Sequence, residues 1–254
     1  MFKIAANLSH LWAELPYLDR FDAAAKAGFD GVEVLFPYDM PAKDTRRALL
    51  KSGLPMILMN APPPNYTGGA RGFAAVPEAK DRFRFDMRRA LRYCDALRVP
   101  MLHVMIGPGV GAAARETLIN NLRWASEEVP ENVTLLLEPL NADSMPGYYL
   151  NDYDLTVDIL RDLDAPNVAL QFDSFHAQMI HGDAVAVYEK HKSWVRHIQI
   201  GDAPGRVTPG NGEVDFTRLF ECLKTDGYGG WVSAEYAPGP HTEDSLEWLR
   251  ALRS

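Results

Sequence analysis

Cysteine is scarce in this chain: only Cys94 and Cys222 occur among 254 residues, both in helix-like, partly apolar stretches. Such usage argues against a disulfide framework and favours a reduced, cytoplasmic setting. The N-terminal stretch MFKIAANLSHLW lacks the charged start and apolar run of a signal peptide, and no apolar run approaches the length that spans a bilayer. We therefore expect a cytoplasmic protein with no membrane partner.

Basic charge is also in short supply. The chain has 26 Lys and Arg residues against 34 Asp and Glu, a formal net charge of −8, and no basic run. Because affinity for nucleic acids comes mostly from neutralising phosphates, this balance argues against a nucleic-acid partner. The chain also lacks a GxGxxG motif at the start of the first helical segment, so the usual signature of a dinucleotide-binding fold is missing.

What the sequence does have is a regular alternation of strand-like and helix-like segments. The strand-like segments are short and nearly continuously apolar, which is typical of strands buried on both faces of a parallel sheet. They are Phe2–Leu8, Gly31–Phe36, Pro55–Asn60, Met101–Ile106, Val133–Glu138, Val168–Asp173, Arg196–Ile200 and Trp231–Glu235. The helix-like segments are Leu15–Ala27, Lys43–Ser52, Glu78–Leu97, Arg115–Val129, Asp154–Leu163, Ala184–Lys192, Phe216–Lys224 and Asp244–Leu252.

Eight strand–helix units in a chain of this length most simply close into a barrel. We predict a single (β/α)₈ TIM-barrel domain over residues 1–254, with an open doubly wound sheet as the alternative. Asp152 and Thr242 are predicted helix N-caps, and Gly53 is a predicted helix stop. The Pro- and Gly-rich stretch Ala61–Gly72 is too long for a plain connection and is predicted to be a functional loop.

Polar side chains end four consecutive predicted strands: Glu138, Asp173, Gln199 and Glu235, separated by 35, 26 and 36 residues. Each separation is about one βα unit, so these side chains should lie together at the face where barrel enzymes keep their sites. Three converging carboxylates repel one another unless a cation lies among them. Oxygen ligands favour Mg²⁺ or Mn²⁺ over zinc, so the sequence predicts one divalent metal ion held by these four residues.

The residue two positions before each ligand shares its face of the strand. This places Leu136, Gln171, His197 and Ser233 beneath the four ligands. Two interpretations of His197 stay open: it orients the ligands from beneath by hydrogen bonds, or it is satisfied within a packed barrel core.

Several stretches of the chain resemble the hydroxypyruvate isomerase family, within the xylose-isomerase-like barrels. They are AANLS, GFDGVEVLFPYD, LLLEPLN, QFDSFHAQ, HIQIGDAPGR, PGNGEVDF and SAEY, in this order over nearly the whole chain. The resemblance implies a metal-dependent, aldose–ketose type isomerase of carbohydrate and glyoxylate metabolism. Its substrate would be a small hydroxy-keto acid, either hydroxypyruvate, which becomes tartronate semialdehyde through an enediolate, or the close homologue 2-oxo-tetronate.

The resemblance also implies roles for individual residues. Glu138 and Glu235 correspond to a catalytic acid–base pair, and which of them acts first stays open. His176 and Arg206 correspond to substrate contacts, and Glu213 to a residue that orients the neighbouring loop at the substrate.

The long loop supplies two further candidates for binding the substrate. A substrate carboxylate needs a cation, and Arg71 is the candidate because arginine binds carboxylates through paired hydrogen bonds. Tyr66 is expected to wall the pocket.

Three other functions remain open. A ketose 3-epimerase would use the same acid–base pair on a longer, neutral substrate, and a dehydratase would use the same metal for a β-elimination. A barrel that only binds a sugar acid is the non-catalytic alternative. Barrels of this kind often associate through their outer helices, so a homo-oligomer is also an expectation.

Overall fold

A computed structural model describes residues 2–62 and 71–253 of the chain. Its strands are β1 (Lys3–Asn7), β2 (Gly31–Glu33), β3 (Met56–Ala61), β4 (Met101–Val104), β5 (Thr134–Leu137), β6 (Val168–Asp173), β7 (Val195–Ile200) and β8 (Trp231–Ala234). Each strand runs parallel to the next one along the chain, and β1 pairs with β8, which closes the barrel. The predicted (β/α)₈ TIM barrel is therefore confirmed, and the open sheet is excluded.

Helices surround the barrel. They are α1 (Arg20–Lys26), α2 (Ala42–Ser52), α3 (Lys80–Leu97), α4 (Gly111–Glu128), α5 (Tyr153–Leu163), α6 (Ser174–His181), α7 (Ala184–His191), α8 (Phe216–Thr225) and α9 (Glu247–Arg253). Within the described residues, no helix combines the length and the apolar character needed to cross a membrane.

Local side-chain chemistry sets several helix ends. Asp152 caps α5, because its Oδ1 accepts a hydrogen bond from the backbone N–H of Leu155 at 2.9 Å. Gly53 ends α2 in the left-handed conformation, with φ of 74°. The expectation for Thr242 was wrong: its Oγ1 accepts from the backbone N–H of Trp12, so it holds the chain after β1 instead of capping a helix.

A helix that the sequence pattern did not predict follows β6 without a loop. The Oδ1 atom of Asp173, the last residue of β6, accepts a hydrogen bond from the backbone N–H of Phe175 at 2.8 Å and caps α6. His176 lies in the first turn of this helix. The direct strand-to-helix transition places this imidazole beside the carboxylate that caps the helix.

The interior of the barrel changes character along its axis. Its lower part is a separate apolar cluster of inward-facing side chains, on which the indole of Trp231 packs; the cluster comprises Ala5, Ile57, Leu58, Met101, Leu136 and Ala169. The ring of Trp231 approaches Gly31 so closely that a Cβ atom there would lie 2.9 Å from it. Polar side chains therefore collect only at the opposite end, where the strands finish.

Candidate active site and metal centre

The four predicted metal ligands lie at the C-terminal mouth of the barrel. Asp173 of β6 and Gln199 of β7 are register partners, Glu138 directly follows β5, and Glu235 directly follows β8. None of the four is more than 4% exposed. Gln171, one layer below, donates through Nε2 to Glu138 Oε2 at 2.9 Å and to Gln199 Oε1 at 2.7 Å. The structure thus brings the predicted residues into one buried polar network.

The guanidinium of Arg206 reaches into this network from the loop after β7. It contacts Asp173 Oδ2, and its Nη1 lies 3.0 Å from Glu235 Oε1. About 20% of the arginine side chain is exposed, and the ring of Phe175 stacks on its guanidinium at 5.0 Å. Arg206 therefore holds two of the predicted ligands through charge-assisted hydrogen bonds.

Glu33 is a member of the network that the sequence interpretation missed. It is fully buried at the end of β2. Its Oε1 accepts from Gln199 Nε2 at 2.6 Å, and its Oε2 lies 2.9 Å from His197 Nε2. His197 therefore acts on Gln199 through Glu33. The signal for Glu33 was a lone carboxylate within the apolar run GVEVLF.

Asn7, at the end of β1, is a second missed member. Its Nδ2 donates to Glu33 Oε1 and to Glu235 Oε2, both at 2.8 Å. Its Oδ1 accepts from the backbone N–H of Ser9 at 2.9 Å, which fixes the direction of the amide. Asn7 thereby joins the two ends of the polar network across the point where the barrel closes.

Three histidines line the same mouth. His103 Nδ1 lies 3.4 Å from Glu138 Oε2, and His10 Nε2 lies 3.6 Å from Glu235 Oε1. His176 Nε2 lies 4.0 Å from both Glu138 Oε1 and Asp173 Oδ2. Burial lowers the pKa of all three, that of His103 to about 3 with a contribution from His197. The histidines are therefore neutral near pH 7 and bring no positive charge to the site.

The site has more acidic groups than positive charge, which favours the binding of a cation. The described network contains four carboxyl groups, those of Glu33, Glu138, Asp173 and Glu235. The only guanidinium in direct contact with this described network is that of Arg206, through Asp173 and Glu235. Burial, followed by the charges of Asp173 and Glu235, raises the pKa of Glu138 well above its ordinary value. Burial also raises the pKa of Asp173 to about 6, although Arg206 opposes this shift. A divalent cation would relieve this excess of negative charge, and carboxylate and amide oxygens are its preferred ligands. The residues therefore fit a metal centre.

A second grouping of possible ligands is also present. Atoms of Glu138, Asp173 and His176 lie within 4.8 Å of one another, all of them buried. The grouping shares Glu138 and Asp173 with the predicted set and adds the imidazole of His176, without Gln199 or Glu235.

A small cavity opens above these groups, with a volume of about 120 Å³. Glu138, Glu235, His176 and Arg206 form its polar wall, while Leu35, Phe36, Met105, Leu140 and Met145 form its apolar wall. At roughly 30 Å³ per water molecule, the space holds about four waters. Its size suits a molecule of three or four carbons.

The remaining predicted substrate contacts lie in different places. Arg71 lines the cavity, and its side chain is exposed at the rim. Glu213 is exposed and is not among the described residues that line the cavity; its backbone N–H donates to Ala203 O at 2.7 Å. Tyr66 lies outside the described residues.

The loop that carries Arg206 is organised by a buried carboxylate. Asp202 Oδ1 accepts from the backbone N–H groups of Ala203 and Val214 at 2.9 Å, and Oδ2 accepts from those of Gly210 and Gly212 at 2.9 and 2.8 Å. A Cβ atom at Gly212 would lie 2.6 Å from Asp202 Oδ1 and would also overlap Ala203 O. The sequence interpretation gave Asp202 no role, although it assigned the loop itself to the site.

Residues 21–252 match the model of the xylose isomerase-like TIM barrel family. The chain belongs to this family. Several curated proteins that are similar along the whole chain carry isomerase names. The chain is 39% identical to 2-oxo-tetronate isomerase of Cupriavidus necator, with 98% of both chains covered. It is 33% identical to hydroxypyruvate isomerase of Escherichia coli, with both chains fully covered.

A solved structure extends the likeness to the arrangement of the backbone. A crystal structure from Brucella melitensis, described as an AP endonuclease of family 2, superposes with a TM-score of 0.95 at 41% identity and covers both chains fully. The family membership and the names of these curated relatives are together consistent with an isomerase of the xylose isomerase-like barrels. The expected resemblance to the hydroxypyruvate isomerase family is confirmed.

Proposed function

We propose that this isomerase interconverts a small 2-oxo-3-hydroxy acid with its isomer, either hydroxypyruvate with tartronate semialdehyde or the homologue 2-oxo-tetronate. The observation that carries the proposal is the pairing of Glu138 and Glu235 on the wall of a cavity of about 120 Å³ that also presents Arg206 and Arg71. Two carboxyl groups can exchange protons with carbon, and the arginines match an anionic substrate. The names of the two curated relatives support this substrate class.

The proposed reaction uses one divalent cation, Mg²⁺ or Mn²⁺, held by Glu138, Asp173, Gln199 and Glu235. When bound, such a cation stabilises negative charge on the substrate oxygens and makes the adjacent C–H bond more acidic. The donor set supports this assignment, because it is rich in oxygen and carries more negative charge than Arg206 neutralises.

The proton transfers fall to the two glutamates. For hydroxypyruvate, one C–H bond at C3 breaks and one at C2 forms, while the proton of the C3 hydroxyl passes to the oxygen on C2. One glutamate takes the proton from C3, and the same or the other glutamate delivers a proton to C2. Burial and the charges of Asp173 and Glu235 raise the pKa of Glu138, and a bound cation would oppose this shift by favouring the ionised carboxylate.

The surroundings of Glu235 keep it in one orientation. Arg206 Nη1 donates to Oε1 at 3.0 Å and Asn7 Nδ2 donates to Oε2 at 2.8 Å. Both donors fix the position of this carboxylate relative to the cavity. The apolar wall opposite limits the water that can reach the reacting carbons.

Arg71 is proposed to bind the carboxylate of the substrate. It is the arginine of the long loop, it lies at the rim of the cavity, and its exposed guanidinium can approach an anion from the open side. Arg206 lies deeper and is held by Asp173 and Glu235. In this proposal, the two arginines bind opposite ends of a short substrate.

The experiment is proton NMR of the purified protein with hydroxypyruvate in D₂O, with added Mg²⁺ or Mn²⁺ and, separately, with chelator. We expect tartronate semialdehyde with deuterium at the carbon that receives a proton, and loss of turnover with chelator. Turnover that resists chelation would remove the cation from the mechanism. Activity restricted to a carboxylate-free ketose would replace the isomerase assignment by a 3-epimerase, and loss of water would indicate a dehydratase.

A further inference from the structure

A buried asparagine makes unusual contacts with His176. The backbone N–H of Asn141 points at His176 Nδ1 at 3.0 Å, and the side-chain Nδ2 of the same residue lies 2.8 Å from the same atom. Asn141 is 3% exposed and so is His176. One residue therefore places two nitrogen donors on a single ring nitrogen.

The orientation of the asparagine amide is set independently. Asn141 Oδ1 accepts a hydrogen bond from the backbone N–H of Ser144 at 2.9 Å, and the backbone N–H of Met145 donates to Asn141 O at 3.0 Å. Because a backbone N–H can only donate, Oδ1 must be the oxygen and Nδ2 must be the nitrogen. The turn that follows Asn141 therefore directs the NH₂ group to the imidazole.

These contacts decide which nitrogen of His176 carries the proton. An atom that accepts from a backbone N–H must offer a lone pair, so Nδ1 is unprotonated. A neutral imidazole has one N–H, which must then be at Nε2. Burial and the charge of Arg206 lower the pKa of His176, which keeps the ring neutral.

The position of Nε2 indicates what its N–H group can donate to. Nε2 lies 4.0 Å from Glu138 Oε1 and 4.0 Å from Asp173 Oδ2, too far to donate directly to either. The His176 side chain instead lines the cavity, where a substrate oxygen could accept from this N–H group. A protonated ring nitrogen also has no lone pair for a metal, although it lies close to two proposed ligands.

We propose that Asn141 is a positioning residue that fixes His176 with its proton on Nε2. The ring then donates a hydrogen bond to the substrate oxygen that gains charge in the enediolate, and it does not bind the cation. This role rests on the proposed isomerase function. Donors aimed at developing charge contribute about 10²–10³-fold to the rate in comparable sites.

The test uses ¹⁵N-histidine labelling and long-range ¹H–¹⁵N correlation spectra, with His176 assigned by the signal that disappears in His176→Gln. In the unmodified protein we expect a protonated Nε2 and an unprotonated Nδ1. The Asn141→Asp variant replaces a donor by an acceptor of nearly equal shape, and we expect it to draw a proton to Nδ1. A protonated Nδ1 in the unmodified protein would overturn the proposal.

Three further measurements complete the test. Asn141→Asp is expected to lower kcat by about 10–10³-fold with a smaller change in KM, since the lost donor acts on developing charge. Asn120→Asp adds the same charge on the exposed face of α4 and should change neither kcat nor the His176 signals. Asn141→Ala keeps the backbone donor and removes the side-chain donor. It replaces the aspartate variant in the test if circular dichroism shows that the aspartate variant does not fold. Unchanged ring signals in a folded Asn141→Asp variant, or an Asn141→Ala variant with both ring signals and kcat unchanged, would reject the asparagine side chain as the positioning group.

Cation binding provides a readout that does not depend on activity. We expect His176→Gln to bind Mn²⁺, followed by electron paramagnetic resonance of the free ion, within about twofold of the unmodified protein. A loss above tenfold would make His176 a ligand and overturn the inference. If hydroxypyruvate is not a substrate, the NMR and Mn²⁺ results still stand, so failure of the proposed function is distinguishable from failure of this inference.

Discussion

Glu138 and Glu235 are the residues on which the proposed chemistry depends most directly. Glu138→Gln and Glu235→Gln keep the shape of each side chain and remove its ability to exchange protons. We expect kcat to fall by about 10²–10⁴-fold in each variant, the usual contribution of a positioned acid or base. Steady-state assays of the isomerase reaction measure this. Glu131→Gln, at an exposed position, is the matched control and should behave like the unmodified protein.

Arg71 is the residue that should distinguish an acid from a neutral sugar. Arg71→Ala removes the rim guanidinium, so KM for hydroxypyruvate should rise by at least about tenfold, since a lost charge-assisted pair costs roughly 1.5–3 kcal/mol. KM for an uncharged ketose should change far less. Equal changes for both substrates would remove Arg71 from the carboxylate site. Arg92→Ala, on the exposed face of α3, controls for the loss of one positive charge.

His103 links the site to the pH dependence of stability. Its pKa falls from 6.5 to about 3 on folding because the ring is buried. Between pH 6.5 and 3, this histidine is protonated in the unfolded chain and neutral in the folded protein. The free energy of unfolding therefore decreases as pH falls from 6.5 toward 3. His103→Gln should lose less stability than the unmodified protein between pH 7 and pH 5, by about 2 kcal/mol. Urea unfolding at both pH values measures this, and equal losses would contradict it.

Site residues that recur at the same position of successive strands could be predicted from the sequence. Site residues whose partners are brought together only by closure of the barrel could not. Glu138, Asp173 and Glu235 share one position, the end of a strand, and this was visible in the printed chain. Asn7 and Glu33 each stand alone in an apolar run. Besides each other, they contact Glu235, which follows β8, and Gln199 of β7, and only the closed ring of strands brings these residues within reach.

Among the elements, the loop between β7 and α8 leaves no space for a side chain at Gly212, where an added Cβ atom would lie 2.2 Å from Ala203 O. Gly212→Ala would force a methyl group against Asp202 Oδ1 and Ala203 O, and the loop must shift to relieve the overlap. Because Arg206 belongs to the same loop, we expect kcat/KM to fall by about tenfold or more, as displacements near 1 Å cost up to about 10²-fold. Gly229→Ala, where an added Cβ meets nothing within 4 Å, is the matched control. Equal activity in the two variants would contradict a role for this loop in holding Arg206.

Helix α6 shows why one element escaped prediction. The pattern SFHAQMIH has no clear apolar repeat, and the segment begins directly after a strand, where a loop is usual. Its start depends on Asp173, whose carboxylate has two atoms with different uses: Oδ1 caps the helix and Oδ2 faces Arg206. Interpreted as a metal ligand alone, Asp173 gave no sign of the helix.

For the whole molecule, the excess of buried negative charge predicts that a divalent cation stabilises the fold. At a concentration about 100-fold above its Kd, a bound ion contributes about 2.7 kcal/mol, which corresponds to a rise in Tm of about 5–10 °C for a domain of this size. Thermal unfolding followed by circular dichroism with Mg²⁺ or Mn²⁺, and with chelator, measures this. Asp173→Asn, which retains a capping side chain, should show little of the rise; an equal rise would place the ion elsewhere.

The packing of Trp231 against Gly31 affects how ligands enter and leave the barrel. Among the described residues, the indole and the aliphatic layer around it form an apolar floor beneath the polar network. An ion and an organic acid would then both enter through the mouth of the barrel, where the acid would cover the ion. We therefore expect the ion to bind before the organic acid and to leave after the product.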